Sequence, residues 1–227
     1  MPLPMDTVTQ YIAVAAGLGT AAFALVDASK AFAGGVSNHG FVHIRNVVSS
    51  FFFTSGGETD PTNPLHLDEV LATLRANWLN GMVLSDQKAI AKSLIKLRLD
   101  EASAGQLAKA TGVRPEILAS VARKIAAGEK LSNQETDVFG RFDLMLTALL
   151  DRGYQRADQS YRNKAKAWSI VASVSLALFA KWIVGIETVS YSKALLLGLI
   201  ATPIAPVAKD LTSALQAGVK AVQVLRK

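Results

Sequence analysis

The chain of 227 residues contains no cysteine, which excludes disulfides, thiolate metal sites and cysteine nucleophiles. It also has no glycine-rich phosphate-binding loop, no zinc-protease helix motif and no serine-centred elbow. His39 and His43 are spaced for one helical face, but a metal needs a third ligand, and the next carboxylate after them is Glu58. The sequence therefore predicts no enzyme, no metal site and no cofactor.

Charge is also scarce in three long apolar stretches, residues 7–26, 167–186 and 191–208. Each stretch approaches or reaches the ~20 residues that a helix needs to cross a bilayer. Lys181 lies near the end of the second stretch, where its amine reaches the headgroups. We therefore predict an all-α integral membrane protein with three transmembrane helices.

Two of these stretches have a second interpretation. Residues 7–26 followed by Ala-Phe-Ala at 31–33 also fit a cleaved signal peptide, but the lack of a preceding Lys or Arg favours a span. Residues 191–208 contain Pro203 and Pro206, which remove helical hydrogen bonds. We expect a kinked span there, with a re-entrant segment as the alternative.

The basic residues are unevenly distributed. None occurs in residues 1–26, and the connection 187–193 has only Lys193, whereas 18 of the 24 Lys and Arg residues lie between Lys30 and Lys166. Cytoplasmic segments carry an excess of Lys and Arg. We therefore expect the N-terminus and the 187–193 turn outside, with the central region and the C-terminus on the cytoplasmic side of a bacterial inner membrane.

Small residues recur at helical spacing on all three stretches, and such stripes let helix backbones approach closely in lipid. The residues that we assign on this basis to helix packing or oligomerisation are Ala13, Gly17, Ala21, Ser169, Ser173 and Gly198. Packing of three helices within one chain does not use all three stripes. The remaining small residues are available for contacts between subunits, so we expect self-association.

The segment 34–57 is bracketed by two pairs of glycines. Its apolar and polar residues separate at helical spacing, with Phe41, Ile44, Val48 and Phe51 opposite Arg45, Asn46, Ser49 and Ser50. This pattern predicts an interfacial amphipathic helix on the cytoplasmic leaflet. A buried strand is the alternative, but no second strand-like run is present to pair with it.

Residues 58–151 have the pattern of a cytoplasmic bundle of amphipathic helices. One helix has a basic stripe, which we expect to be a solvated face and which alternatively faces nucleic acid or anionic lipid. The residues of this stripe are Lys88, Lys92, Lys96 and Arg98. Ser132-Asn-Gln-Glu135 is a capping box, and it begins a long helix that continues into the second apolar stretch.

The run Gln106–Val121 resembles the helix-turn-helix of phage-repressor-like DNA-binding domains. Gly112 falls at the turn, and Leu118 and Val121 fall on the inner face of the second helix. The resemblance implies a membrane-tethered DNA-binding regulator as one alternative function. Glu116 would repel phosphate at the start of the reading helix, so we expect a simple helical hairpin without a nucleic-acid partner.

The segment 152–208 begins with a cluster of basic residues next to the second apolar stretch, and the whole segment reads as a stalk helix followed by a transmembrane hairpin. The basic residues of this cluster are Arg152, Arg156, Arg162, Lys164 and Lys166. We predict that they contact anionic lipid headgroups, which attract juxtamembrane Lys and Arg by ~1 kcal/mol each. Gly153 is the one position where the long helix over 133–185 would break.

The two ends of the chain complete the predicted organisation, with a first transmembrane segment at 1–33 and an amphipathic helix at 209–227. The C-terminal helix has an apolar seam formed by Leu211, Leu215 and Val222. A seam of two heptads is too short to be independent, so it needs the rest of the protein or a neighbouring subunit.

Abundant packing surface without catalytic patterns predicts a non-enzymatic membrane scaffold or assembly subunit, which forms homo-oligomers or joins a larger complex. Its expected partners are the lipid bilayer and anionic headgroups. A small pore or carrier subunit is the alternative. It would need an oligomer axis lined by the polar groups of the spans, which are Thr20, Ser169, Ser173 and Thr202.

Overall fold

The computed structural model describes residues 5–32, 34–52, 65–184 and 189–203. All regular secondary structure in these ranges is helical, which confirms the all-α class. The chain divides into two compact units. We call Ser37–Tyr161 the bundle unit, and we call Met1–Val36 together with Arg162–Lys227 the apolar unit.

The described residues form eight α-helices. They are α1 Met5–Ala28, α2 Ser37–Ser49, α3 Leu67–Leu79, α4 Leu84–Leu97, α5 Ala104–Thr111, α6 Pro115–Ala127, α7 Asn133–Val184 and α8 over residues 191–203, with a 3-10 turn at Ser29–Ala31. The 52 residues of α7 contribute to both units.

Local sequence explains where several helices begin and end. Gly112 terminates α5 with φ of 69°, a left-handed conformation that glycine adopts without steric cost. Pro115 occupies the first turn of α6, where a missing N–H breaks no helical bond. At the start of α7 the predicted capping box is confirmed, because the Ser132 N–H donates to Glu135 Oε2 at 2.7 Å and the Glu135 N–H donates to Ser132 Oγ at 3.3 Å.

The apolar face of α2 belongs to the core of the bundle unit. Phe41, Ile44 and Val48 are buried in one cluster with residues of α3, α4 and α7. The predicted helix is therefore present and amphipathic. It differs from the expected interfacial helix because protein side chains, and not lipid, cover its apolar face.

The long helix α7 continues through Gly153 without a break. Gly153 is buried against α2, and a Cβ placed on it would lie 2.5 Å from Val47 Cγ1. The sequence left open an unbroken helix or a break at Gly153, and the structure has the unbroken helix. The physical role of Gly153 is to let α2 approach α7 closely.

Within the described residues, two helical segments are long and apolar enough to cross a membrane by length and composition, Gln10–Ala31 and Asn133–Ile183. Only 17% of the most apolar window of each is buried. Part of the third expected span, residues 204–208, lies outside the described residues, as does the C-terminal segment with Leu211, Leu215 and Val222.

Candidate functional site

The contact between α7 and α8 is built from small residues. Gly198 lies so close to α7 that an added Cβ would be 2.6 Å from Val174 Cα. Ser173 Oγ donates to the Gly198 carbonyl at 2.6 Å and lies 3.3 Å from Thr202 Oγ1. Ser169 is fully buried on the same helix as Ser173. The stripes predicted on these two helices thus lie inside a single chain, where they bring the backbones together.

The small residues predicted on α1 lie elsewhere. Ala13, Gly17 and Ala21 are exposed, and nothing lies within 4 Å of a Cβ placed on Gly17. The small residues that α1 does bury are Ala15, Gly19 and Ala22. Packing among the described residues therefore does not use the predicted stripe on α1.

Large apolar side chains cover the outside of the apolar unit. Phe32 is 80% exposed and Trp182 is 69% exposed. Others that exceed half exposure are Val14, Leu25, Trp168, Val171, Phe179, Ile183, Tyr191 and Leu196. Large apolar side chains exposed in this number are unusual for a soluble monomer and are typical of a protein or membrane contact.

Three of the four polar residues that a pore axis would need are internal. Ser169, Ser173 and Thr202 are buried, whereas Thr20 is exposed and donates to the Ala16 carbonyl of its own helix at 2.9 Å. Only Thr20 among the four is therefore accessible to a neighbouring subunit.

The five predicted headgroup residues are all exposed on α7. These are Arg152, Arg156, Arg162, Lys164 and Lys166. At 3.6 residues per turn, all except Lys164 fall within an arc of about 120°. The other four residues consequently form one basic face along about four turns of helix.

The basic stripe of α4 packs against carboxylates of α7. Lys88 Nζ lies 2.5 Å from Asp151 Oδ1. The Asp143 carboxylate accepts from Lys92 Nζ at 2.6 Å and from Lys96 Nζ at 3.0 Å. Partial burial raises the pKa of Asp143, but the two lysines outweigh it and hold that pKa below its usual value. These ion pairs engage all three lysines of the stripe and offset part of its positive charge, which counts against its use as a phosphate-binding face.

The hairpin of α5 and α6 confirms the packing predicted from its sequence, with Gly112 at the turn and with Leu118 and Val121 buried. The start of α7 joins this hairpin through Glu135, whose carboxylate accepts from Ser120 Oγ and Lys124 Nζ at 2.8 Å each. Sequence reasoning found the cap of α7 but missed these two partners, because nothing in the local pattern of α6 indicates them.

His39 is exposed and His43 is half-buried. Within the described ranges, no group of three or more His, Asp or Glu side chains is arranged to hold a metal ion.

Comparisons of this chain with protein families, curated proteins and solved structures give no match.

Proposed function

We propose that this protein is a non-enzymatic integral membrane scaffold or assembly subunit that self-associates through α1. The observation that carries the proposal is the exposed stripe of Ala13, Gly17 and Ala21 within an apolar helix. In lipid, hydrophobic burial drives helices together only weakly, so close backbone contact through small residues supplies the association.

Membrane insertion is supported by the way the apolar unit is packed. The core helix of a soluble protein buries its apolar residues, but the apolar windows of α1 and α7 are 17% buried. Lipid tails would cover the remaining surface without the cost of exposing it to water. In this proposal α1, the second half of α7 and α8 are the three spans, and the bundle unit is cytoplasmic.

The basic face at the start of the apolar half of α7 supports contact with anionic lipid. Its cations lie within about four and a half turns of Trp168, an aromatic residue of the kind that anchors helices at headgroup depth. Phosphate groups there would compensate the positive charge of the face.

Self-association is tested by mass measurement of the full chain in native nanodiscs. We expect a defined multiple of the chain mass, and we expect Gly17→Ile to shift the population to monomer because its branched side chain keeps the backbones apart. Ile12→Phe is the matched control, because Ile12 is exposed on α1 but lies about 140° around the helix from Gly17. A monomer in the unaltered chain, or equal effects of the two substitutions, would contradict the proposal.

A further inference from the structure

The outer face of α7 in the bundle unit carries an apolar patch. Leu144 is 70% exposed, Met145 is 43% exposed, and Ala148 is exposed as well. Residues three and four apart are neighbours on a helix surface, so Ala148 adjoins both larger side chains. The three residues therefore form one continuous apolar surface, in contrast to an apolar side chain that is exposed singly.

Arginines lie at both ends of this patch. Arg141 is about one turn before Leu144, and Arg152 and Arg156 are one and two turns after Ala148; all three arginines are exposed. At 3.6 residues per turn, the arginines and the patch fall within one arc of about 120°. Among the described residues of α7 from 141 to 156, no Asp or Glu falls within this arc. The face is thus apolar at its centre and positively charged at both ends.

This combination of charge and apolar surface restricts the class of partner. The phosphates of a nucleic acid would compensate the arginines but would leave Leu144 and Met145 without an apolar contact. A second copy of the same face would repel it. In the proposed function, lipid headgroups lie near Trp168, which is ~36 Å along α7 from Leu144. None of these three partners matches the whole face.

A helix with an apolar stripe and acidic residues on either side of it does match the face. Its stripe covers the patch, as amphipathic helices cover apolar surfaces in other complexes. Its carboxylates accept paired hydrogen bonds from the guanidinium groups, whose planar geometry fits a carboxylate. The face from Arg141 to Arg156 is ~22 Å long at 1.5 Å per residue. It therefore accommodates about four turns of a partner helix.

We propose that the outer face of α7 over residues 141–156 is a docking surface for an acidic amphipathic helix of a partner protein. Leu144, Met145 and Ala148 form the apolar centre of the contact, and Arg141 and Arg152 pair with carboxylates at its two ends. This surface goes beyond the scaffold function. It lies in the bundle unit, whereas the proposed self-association uses α1, so either proposal can fail while the other holds.

The test measures binding of a labelled synthetic helical peptide to the full chain in phosphatidylcholine nanodiscs by fluorescence anisotropy. The peptide has leucines along one face and glutamates elsewhere. One comparison peptide replaces its glutamates with lysines, and a second replaces its leucines with serines. After subtraction of binding to empty nanodiscs, we expect the Leu/Glu peptide to bind ~10-fold or more tightly than either comparison peptide.

Substitutions in the chain separate the apolar contribution from the charged one. Leu144→Ser with Met145→Ser should weaken binding of the Leu/Glu peptide ~10-fold or more. Leu97→Ser should not, because Leu97 is 69% exposed but lies on α4. Arg141→Glu with Arg152→Glu should reverse the preference toward the Leu/Lys peptide, since both ends of the face then carry acids.

Lys164→Glu is the control for the charge reversal, because Lys164 is exposed on α7 outside the arc. It should retain the preference for the Leu/Glu peptide. Equal binding of the Leu/Glu and Leu/Lys peptides, or equal effects of the Leu144 and Leu97 substitutions, would overturn the proposal. Retention of phosphatidylglycerol that Arg141→Glu removes, without binding of the Leu/Glu peptide, would overturn it in favour of a lipid contact.

Discussion

Glu135 connects local helix capping to the packing of α6 on α7. Its pKa is lowered to about 2, first by the hydrogen bond from Lys124 and then by those from the Ser132 N–H and the Ser120 hydroxyl. Each of these donors favours the ionised carboxylate. A single side chain therefore caps α7 and joins it to α6.

This arrangement predicts a pH-dependent contribution to stability. Because folding depresses the pKa of Glu135 from 4.5 to about 2, the stabilisation is complete above pH ~4.5 and is lost as the pH falls toward 2. Glu135→Gln should lower the thermal midpoint at pH 7, and its difference from the unaltered chain should shrink across that acidic window. Thermal unfolding followed by circular dichroism in non-ionic detergent measures both effects.

Asp137→Asn is the control for this prediction, since Asp137 is exposed in the same first turns of α7. It should change the midpoint much less at neutral pH. A gap between the Gln variant and the unaltered chain that stays constant from pH 7 to pH 2 would count against the assigned role of Glu135.

At the scale of helices, α2 and α7 meet through glycines. An added Cβ on Gly40 would lie 2.7 Å from the Ala157 carbonyl oxygen, and one on Gly153 would lie 2.5 Å from Val47 Cγ1. Val47 is β-branched and has one preferred rotamer in a helix, so it does not turn away easily. The close approach buries the apolar face of α2 against protein.

Two glycines of α7 should therefore respond in opposite ways to alanine. Gly140→Ala should raise the free energy of unfolding by ~0.5–1 kcal/mol, because nothing lies within 4 Å of its Cβ and alanine favours helix. Gly153→Ala should lower it by ~1–3 kcal/mol, because overpacking against Val47 outweighs the same helical gain. Chemical denaturation of the two variants in one detergent gives the comparison, and equal signs would refute this packing role.

At the scale of the whole molecule, the charge distribution predicts the orientation of the chain. The absence of native cysteine makes a single introduced thiol a unique reporter. Val189→Cys should react with a membrane-impermeant maleimide in intact cells, whereas Ala126→Cys, exposed on α6, should react only after the membrane is disrupted. The reverse pattern would place the bundle unit outside.

Much of the local structure was predictable because short-range patterns determine it. The capping box Ser132–Glu135, the turn at Gly112 and the inner positions Leu118 and Val121 of the hairpin are confirmed. Each depends on residues that are near one another along the chain. The sequence by itself thus determined the helical class, several helix ends and the apolar character of α1 and of the C-terminal half of α7.

The partners of each face were decided only by the tertiary structure. The amphipathic pattern of α2 indicates that the helix has an apolar side. It does not indicate whether lipid or the side chains of α3, α4 and α7 cover that side. From the sequence, Gly153 is the one position where α7 would break. Its contact with Val47, more than a hundred residues earlier, shows that this glycine allows close packing. The lysines of α4 likewise form a basic stripe in the sequence, and only the structure shows that Asp143 and Asp151 lie beside them. These outcomes depend on contacts between distant segments, whose pairing no local periodicity encodes.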